Sequence, residues 1–453
     1  MLRELHLRKV GPCDALDLEL KPRLNLITGD NGLGKSFLLD IAWWAMTRQW
    51  PRSLNKALVS GYVARPHSVK EGSIEFVVEG KANKAVRYKS SFSAREEKWI
   101  GKAGRPHNPG LVLYAMADGG FAVWDPARNY WKKVGGEDVQ DRVPAYVFSP
   151  RDVWDGLKDA ERGQLCNGLL SDWAGWQKEG GAAYKQLCSV LAKLSESDAE
   201  PLKPGPLTRV SLDDARDIPT LEMAYGKAVP VLHASSGVRR IIALAYLLVW
   251  SWQEHLTASA LIEEDTTPQV VFLIDEIEAH LHPRWQRAIV SALLDVTQAL
   301  ARDAQVQLIV ATHSPLVMAS AEPRFDEALD AWFDLDLARA SASGPAQVQL
   351  LQRPFERLGD VSSWLVSEAF DLPSARSREA EALIAQAEAM VQARGATPDQ
   401  AQQLTRALEG VLGGTDPFWS RWRMAGAHRG WWGLPQPPGA AALPRGRGKG
   451  KAP

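Results

Sequence analysis

Hydrophobic and polar positions alternate over the first twenty residues of the chain. The alternation covers residues 2–10 and 16–20, so we expect two paired strands there. An apolar run at 24–28 predicts a short buried strand that leads directly into a glycine-rich turn. Residues 36–48 predict a helix. The chain is therefore expected to begin with strands, a tight turn and a helix, in that order.

Short apolar segments separated by turn residues continue to about residue 131. They predict strands at residues 74–79, 86–92, Leu111–Ala115 and 121–125. The consecutive residues Asp118, Gly119 and Gly120 mark one of the turns between them. We expect these strands to form an antiparallel meander beside the glycine-rich turn.

The pattern in the second half of the chain is that of a layered α/β fold. Residues 238–253 predict a strongly apolar helix, and buried strands at 270–274 and 306–311 flank a helix at 282–301. Strands that alternate with helices indicate a parallel sheet. A terminal pair of strands is expected at residues 333–337 and 348–351.

Residues 151–232 interrupt this pattern. Helical spacing at 159–194 is followed by a proline-rich stretch and then by polar residues that end near Asp217. Proline removes a backbone donor and is unfavourable inside helices and central strands. We expect an inserted subdomain that is partly helical and partly irregular.

The C-terminal part of the chain divides into two segments. Residues 356–433 predict a helical extension, in which Thr397, Pro398 and Gln400 provide a capping residue, a first-turn proline and a capping-box partner. Residues 434–453 consist mainly of proline, glycine and alanine with several arginines and lysines. This composition predicts a disordered basic tail.

Composition narrows the class of protein without identifying it. The 453 residues carry a formal net charge of −1, so no overall field attracts the chain to nucleic acid or to a membrane surface. The longest apolar run, 241–250, is far shorter than the roughly 20 residues of a membrane helix. Cys13, Cys166 and Cys188 are widely spaced and suggest no disulfide framework. We expect a cytoplasmic protein with no membrane partner.

The glycine-rich turn matches the phosphate-loop pattern G-x-x-x-x-G-K-S. Its residues are Gly29, Asp30, Asn31, Gly32, Leu33, Gly34, Lys35 and Ser36. In such loops backbone N–H groups and a helix N-terminus surround nucleotide phosphates. We expect Lys35 to bridge the β- and γ-phosphates of ATP and the Ser36 hydroxyl to ligate Mg²⁺, with Phe37 also in the nucleotide site.

The predicted strand at 270–274 ends in two acidic residues. A strand buried on both faces can present ionised groups only at its exposed end. We expect Asp275 to hold Mg²⁺, and Glu276 to orient and deprotonate the attacking water. Glu278, His280 and His282 follow at alternate positions and leave a metal site as an alternative to a simple loop.

Two weaker motifs gain meaning from their order along the chain. Ser235, Ser236 and Gly237, here called the signature segment, stand at the predicted N-terminus of the apolar helix and could bind an anion. His313 follows the strand at 306–311, where it could contact the γ-phosphate and respond to its loss.

These four elements together resemble the ABC ATPase superfamily. Within it, residues 275–283 resemble the D-E-P-E-x-H-L-H-P stretch of the RecF-like and OLD-like branch of AAA family ATPases, which includes many bacterial anti-phage defence proteins. Ile277 replaces the usual proline, and Ser236 replaces the first signature glycine. No glutamine fits the family's Q-loop, for which residues 149–152 are a candidate region.

The resemblance implies an α/β ABC-ATPase head made of two lobes. Residues 1–150 would form the N-terminal lobe with an antiparallel β subdomain, and residues 233–355 the C-terminal lobe. It also implies a head-to-tail homodimer in which two subunits sandwich two ATP molecules. The signature segment of each subunit would then complete the site of the other.

Several functions remain open within this family. A fused Toprim nuclease would need an acidic pair such as Asp334 and Asp336, but a terminal ATPase strand is the preferred interpretation. The leading hypothesis is the ATPase sensor or regulator subunit of a bacterial defence system, acting with a separate nuclease or toxin. The alternative is a RecF-like repair ATPase that binds DNA directly.

Overall fold

The computed structural model describes eight stretches of the chain. They are residues 1–80, 84–102, 104–142, 144–197, 199–300, 304–339, 346–393 and 395–432. The chain divides into two compact units, Met1–Phe370 and Asp371–Pro453. The predicted basic tail at 434–453 lies outside the described residues. Among the described residues, no helix is long and apolar enough to span a membrane.

A mixed eight-stranded sheet forms the centre of the first unit. In spatial order its strands are Ala145–Phe148, Phe121–Trp124, Leu111–Ala115, Gln269–Ile274, Gln305–Ala311, Leu24–Gly29, Asp330–Arg339 and Ala346–Arg353. The five strands from Leu111–Ala115 to Asp330–Arg339 run parallel, and the outer strands pair antiparallel. The predicted α/β class is confirmed. The parallel arrangement brings the ends of distant sequence segments to one edge.

A second, five-stranded antiparallel sheet lies in the same unit. Its strands, in spatial order, are Ala15–Glu19, Leu2–Arg8, Ser73–Glu79, Ala85–Ser93 and Lys98–Ile100. Leu111–Ala115 and Phe121–Trp124 pair antiparallel as predicted. The prediction that they continue the same meander is wrong, because both lie in the central sheet, where Leu111–Ala115 also pairs parallel with Gln269–Ile274. All five residues of Leu111–Ala115 are buried, as is typical of a strand covered on both faces rather than one.

Three small antiparallel sheets complete the strands that the structure describes. They are the hairpins Trp131–Val134 with Glu137–Gln140 and Lys158–Asp159 with Gly163–Gln164, and a three-stranded sheet of Lys203–Thr208, Ile218–Glu222 and Ala228–Pro230. The three-stranded sheet replaces the irregular region expected after residue 200. Its prolines at 204 and 206 are tolerated because Lys203–Thr208 is an edge strand.

Helices cover the central sheet and connect its strands. Those of the first unit are Lys35–Thr47, Pro51–Leu54, Pro150–Asp155, Gly168–Glu179, Ala182–Lys193, Ser236–Leu261, Pro283–Gln286, Ile289–Leu300, Pro315–Ala321 and Val361–Leu365. Short 3-10 helices occur at Pro126–Arg128 and Val231–His233. The single helix predicted at 282–301 is therefore two helices. The helix predicted at 159–194 is also two, and it begins only at Gly168.

The described residues of the second unit form three helices, Arg378–Gln392, Pro398–Glu409 and Phe418–His428. They enclose a separate apolar cluster that includes Leu408 and Trp422. The predicted capping box is confirmed: the Thr397 hydroxyl accepts from the Gln400 backbone N–H, and the Gln400 side chain accepts from the Thr397 backbone N–H.

Candidate functional site

The phosphate loop connects the strand Leu24–Gly29 to the helix Lys35–Thr47. Gly29 has a φ of +133°, and a Cβ atom there would lie 2.3 Å from the carbonyl oxygen of Leu335. Gly34, immediately before the helix, has a φ of +101°. Any other residue would be strained at these positions. The two glycines therefore permit the tight turn that exposes Asp30, Asn31 and Gly32 to solvent.

Lys35 lies under this loop. Its Nζ donates hydrogen bonds to the carbonyl oxygens of Gly29 at 2.6 Å and Asp30 at 2.9 Å. Burial lowers the pKa of Lys35 to about 8, and the acidic residues around it, Asp275 foremost, oppose that change. The side chain thus remains charged at neutral pH and can bind a phosphate.

Asp275 follows the acidic strand, Gln269–Ile274, at the same edge of the sheet. Its backbone N–H donates to the Ala115 carbonyl at 2.9 Å, which fixes the end of the strand. Burial raises the pKa of Asp275 to about 6, while a hydrogen bond from Ser36 and the charge of Lys35 lower it. Its Oδ1 atom is buried and has no hydrogen-bond partner among the described residues.

An unsatisfied carboxylate oxygen beside a hydroxyl fits a Mg²⁺ ion, which prefers oxygen ligands. Ser36 and Asp275 would hold the ion, and the bound ion would neutralise charge on the phosphates. Among the described residues, no cluster of three or more histidine, cysteine, aspartate or glutamate side chains could hold a metal. The remaining ligands would therefore come from the nucleotide and from water.

Glu276 occupies a turn directly after Asp275. Its φ is +46°, a left-handed conformation that is unusual for glutamate and that often occurs at functional sites. The Glu276 carbonyl accepts from the Ala279 N–H at 2.8 Å. Its charge acts on Lys35, Asp275 and His313 alike. Glu276 is half-buried, so its side chain remains accessible to water.

Glu278 joins the loop after the acidic strand to the loop that carries His313. Its carboxylate accepts hydrogen bonds from the Thr312 hydroxyl at 2.7 Å and from the His313 backbone N–H. Burial, together with the charge of Lys35, lowers the pKa of His313. The imidazole is therefore neutral at pH 7 and can act as a hydrogen-bond donor or acceptor. Because Glu278 is already engaged, the alternative metal site with His280 and His282 gains no support.

The signature segment lies at the start of the 26-residue helix Ser236–Leu261. The Ser235 hydroxyl accepts from the Val238 N–H at 3.4 Å and caps the helix. Ser235 and Ser236 are exposed, whereas Gly237 is buried. A Cβ atom on Gly237 would lie 2.7 Å from the His280 carbonyl oxygen. The glycine thus allows the helix to pack against the loop that follows Asp275.

The signature segment and the phosphate loop of the chain are not joined by hydrogen bonds among the described residues. The exposed N-terminus of a long helix is nevertheless an arrangement that favours anions.

Two other predicted positions have local structural partners. A Cβ atom on Gly11 would lie 2.5 Å from Cε1 of Phe37, so the Phe37 ring packs tightly on that turn. In the candidate Q-loop region, Ser149 and Asp152 form a capping box, and Asp152 also accepts from Asn55 at 2.9 Å. A glutamine equivalent is not found there.

Three residues near the site were missed by sequence reasoning: Asp40, Tyr114 and Arg240. Asp40 lies one helical turn after Ser36 and is buried, and the Tyr114 hydroxyl donates to its Oδ1 at 3.0 Å. Burial raises the pKa of Asp40 to about 7. The i, i+4 spacing from Ser36 within an apolar helix was the available signal for Asp40. Tyr114 looks like an ordinary core residue in the sequence.

We expect Asp40→Asn to change how stability depends on pH. The pKa of Asp40 is about 7 in the fold and about 3.9 in the unfolded chain. A raised folded-state pKa stabilises the protein at low pH, and this contribution is lost as pH rises toward the folded value. The stability of the variant relative to wild type should therefore increase by about 2.5 kcal/mol between pH 5 and pH 8.

Urea unfolding of nucleotide-free protein at both pH values measures this difference. Asp213→Asn, at an exposed position, is the matched control and should show no such trend. A stability difference between Asp40→Asn and wild type that stays constant with pH would contradict the placement of a buried, titrating carboxyl at Asp40.

The sequence matches the profile of a family described as "AAA domain, putative AbiEii toxin, Type IV TA system" over residues 24–319. The match begins at the strand before the phosphate loop and ends after His313. It covers more than half of the chain, and the chain belongs to this family. The predicted resemblance to an AAA family P-loop ATPase is confirmed.

One curated relative is the Retron Vc95 probable ATPase of Vibrio cholerae serotype O1 biovar El Tor. The two sequences are 30% identical over 105 residues, which are 22% of this chain and 19% of the relative. The match thus spans about a fifth of the relative's length.

Similar solved structures include two SMC head domains. The head domain from Thermotoga maritima has a TM-score of 0.37 and 14% identity, with 77% of this chain and 98% of that chain covered. The second is an SMC head domain with an extended coiled coil, derived from Pyrococcus furiosus and bound to the C-terminal domain of ScpA. It has a TM-score of 0.38 and 12% identity, and the match covers 78% of this chain and 96% of that chain. These likenesses are distant, and the fold rests on the strand order described above.

Proposed function

We propose that the chain binds Mg-ATP at the phosphate loop and hydrolyses it with Glu276 as the base. The observation that supports this most directly is the meeting of Lys35, Ser36, Asp275, Glu276 and His313 at one edge of the central sheet. Electrostatic and hydrogen-bonding contacts link them. Few other reactions require a phosphate loop, a cation site and an additional carboxylate in one place.

Each residue has a distinct role in this proposal. Lys35 binds the β- and γ-phosphates, and Glu276 accepts the proton of the water that attacks the γ-phosphorus. The bond to the bridging oxygen breaks, so that ADP and phosphate leave. His313, neutral at pH 7, donates to the γ-phosphate and loses that partner after hydrolysis.

The active state is proposed to be a head-to-tail dimer. The exposed signature segment, which forms no hydrogen bond with its own phosphate loop among the described residues, supports this arrangement. In the dimer, the helix N-terminus at Ser235 would face the γ-phosphate bound by a second copy of the chain. ATP would hold the two copies together, and hydrolysis would release them.

Phosphate release by the purified protein tests the catalytic part of the proposal. We expect turnover with Mg-ATP and only the background rate in EDTA. The protein would supply just two ligands, Ser36 and Asp275, so EDTA should remove the Mg²⁺ ion readily, and the phosphate charge would then stay unneutralised. Turnover that continues unchanged in excess EDTA would contradict a magnesium-dependent site.

The biological role is proposed to be that of an ATPase subunit in a bacterial defence system with a separate effector. The names of the family and of the retron relative support this role, since both refer to systems in which an ATPase or toxin is one component. Copurification with the product of the neighbouring gene tests it. No complex, and no ATP-dependent effect on that partner, would overturn the role. DNA-stimulated hydrolysis that weakens steeply with salt would instead favour direct DNA binding.

A further inference from the structure

Arg240 links the helix that carries the signature segment to the turn at Met116 and Ala117. It lies on the helix Ser236–Leu261, close to its exposed N-terminus. Its guanidinium donates hydrogen bonds to the carbonyl oxygens of Met116 at 2.8 Å and Ala117 at 3.4 Å. Both carbonyls belong to the turn that follows the strand Leu111–Ala115. That strand is the direct neighbour of the acidic strand in the sheet.

The surroundings of this guanidinium are acidic. Its charged end is largely buried, and burial lowers the pKa of Arg240 while Asp118, Asp275 and Glu276 raise it. Arginine keeps its charge in proteins, so this partly buried cation interacts electrostatically with the proposed Mg²⁺ ligand and the proposed base. The backbone links them as well, because the Asp275 N–H donates to the carbonyl of Ala115, the residue before Met116, at 2.9 Å.

A second contact ties the same helix end to the loop that follows the acidic strand. The close approach of Gly237 to the His280 carbonyl leaves no room for a side chain between them. The start of the helix is therefore held at two points, by the turn after the strand Leu111–Ala115 and by the loop after the acidic strand. A helix that moves as a rigid body would shift both contacts together.

We propose that Arg240 is a positioning residue that couples the signature segment to the catalytic carboxylates of its own subunit. In the proposed dimer, each ATP site combines the phosphate loop of one subunit with the signature segment of the other. ATP that contacts the signature segment of a subunit would thereby set the placement of Asp275 and Glu276 in that same subunit's own site. The inference rests on the proposed dimer. It differs from a purely structural role, in which Arg240 would only hold the turn at Met116 and Ala117.

The test compares Arg240→Gln with wild type in three measurements: ATP affinity, turnover and dimer formation. Glutamine retains a hydrogen-bond donor but removes the charge. We expect ATP affinity within about threefold of wild type, ATP-dependent dimers when the change is combined with Glu276→Gln, and kcat lower by about tenfold or more. ATP binding without hydrolysis would indicate lost coupling, because a misfolded site would lose ATP binding as well.

Arg239→Gln is the matched control, because Arg239 is the exposed neighbour on the same helical turn and should keep kcat within about twofold. The proposal is overturned if Arg240→Gln keeps wild-type kcat, or if it loses ATP binding or dimer formation. Should Arg240→Gln not fold, Arg240→Met, which also removes the charge, takes its place with the same outcomes. Failure of Glu276→Gln alone to dimerise with ATP would instead reject the dimer itself.

Discussion

Glu276→Gln is expected to bind Mg-ATP but to hydrolyse it at least about a hundredfold more slowly than wild type. Glutamine has nearly the shape of glutamate but cannot accept the proton of the attacking water. Lys35, Ser36 and Asp275 remain in place, so the nucleotide should still bind. Phosphate release measures the rate, and the nucleotide that remains with the protein after gel filtration measures the trapped state.

The matched control for this change is Glu264→Gln, in the exposed loop after the helix Ser236–Leu261. It removes a carboxylate of the same kind without touching the site, and should leave turnover unchanged. If Glu276→Gln retained full turnover, the assignment of the base would be wrong. Loss of ATP binding in this variant would mean that Glu276 supports the nucleotide rather than the chemistry.

Lys35→Ala is expected to weaken ATP binding by about a hundredfold or more. The buried ammonium is the one cation that contacts the loop carbonyls of Gly29 and Asp30 among the described residues. Hydrogen bonds between charged partners contribute about 1.5–3 kcal/mol each, so two lost phosphate contacts account for that factor. Titration calorimetry with Mg-ATP measures the affinity directly.

Lys227→Ala, on an exposed hairpin turn, is the control for loss of one lysine. Thermal unfolding should show that Lys35→Ala stays folded, because its ammonium is replaced by a small side chain that fits a helix. An affinity within about tenfold of wild type would contradict the role given to Lys35.

The local motifs were accessible from the sequence, because each depends on a few neighbouring residues. The glycines of the phosphate loop and the acidic pair at the end of an apolar strand follow from local spacing, while His313 gains its meaning from the order of the motifs along the chain. A parallel sheet places the ends of such strands at one edge. The structure does bring Lys35, Asp275, Glu276 and His313 together, while their roles stay predictions.

The residues that sequence reasoning missed depend on contacts between distant segments. Arg240 meets Met116 and Ala117 across more than a hundred residues of chain. The pairing of Asp40 with Tyr114 likewise depends on which strand lies beside the acidic strand. Because Leu111–Ala115 was expected in an antiparallel meander, its tyrosine could not be placed next to the acidic strand.

The three-stranded sheet of the inserted segment was missed for a local reason. Proline lacks a backbone donor, so the prolines at 204 and 206 argued against a strand. An edge strand needs only half of its donors, and the surrounding residues pair with Ile218–Glu222. Proline-rich segments next to a hairpin can therefore conceal an edge strand.

The composite ATP site is tested most directly by the mass of Glu276→Gln protein in solution. Light scattering after gel filtration should give the mass of one chain without nucleotide and of two chains with Mg-ATP. Adding Ser235→Asp keeps a good helix cap but places a negative charge where the partner's γ-phosphate would lie, so the pair of changes should stay at one chain. A single-chain mass for Glu276→Gln with ATP bound, or a two-chain mass that Ser235→Asp leaves intact, would contradict the account.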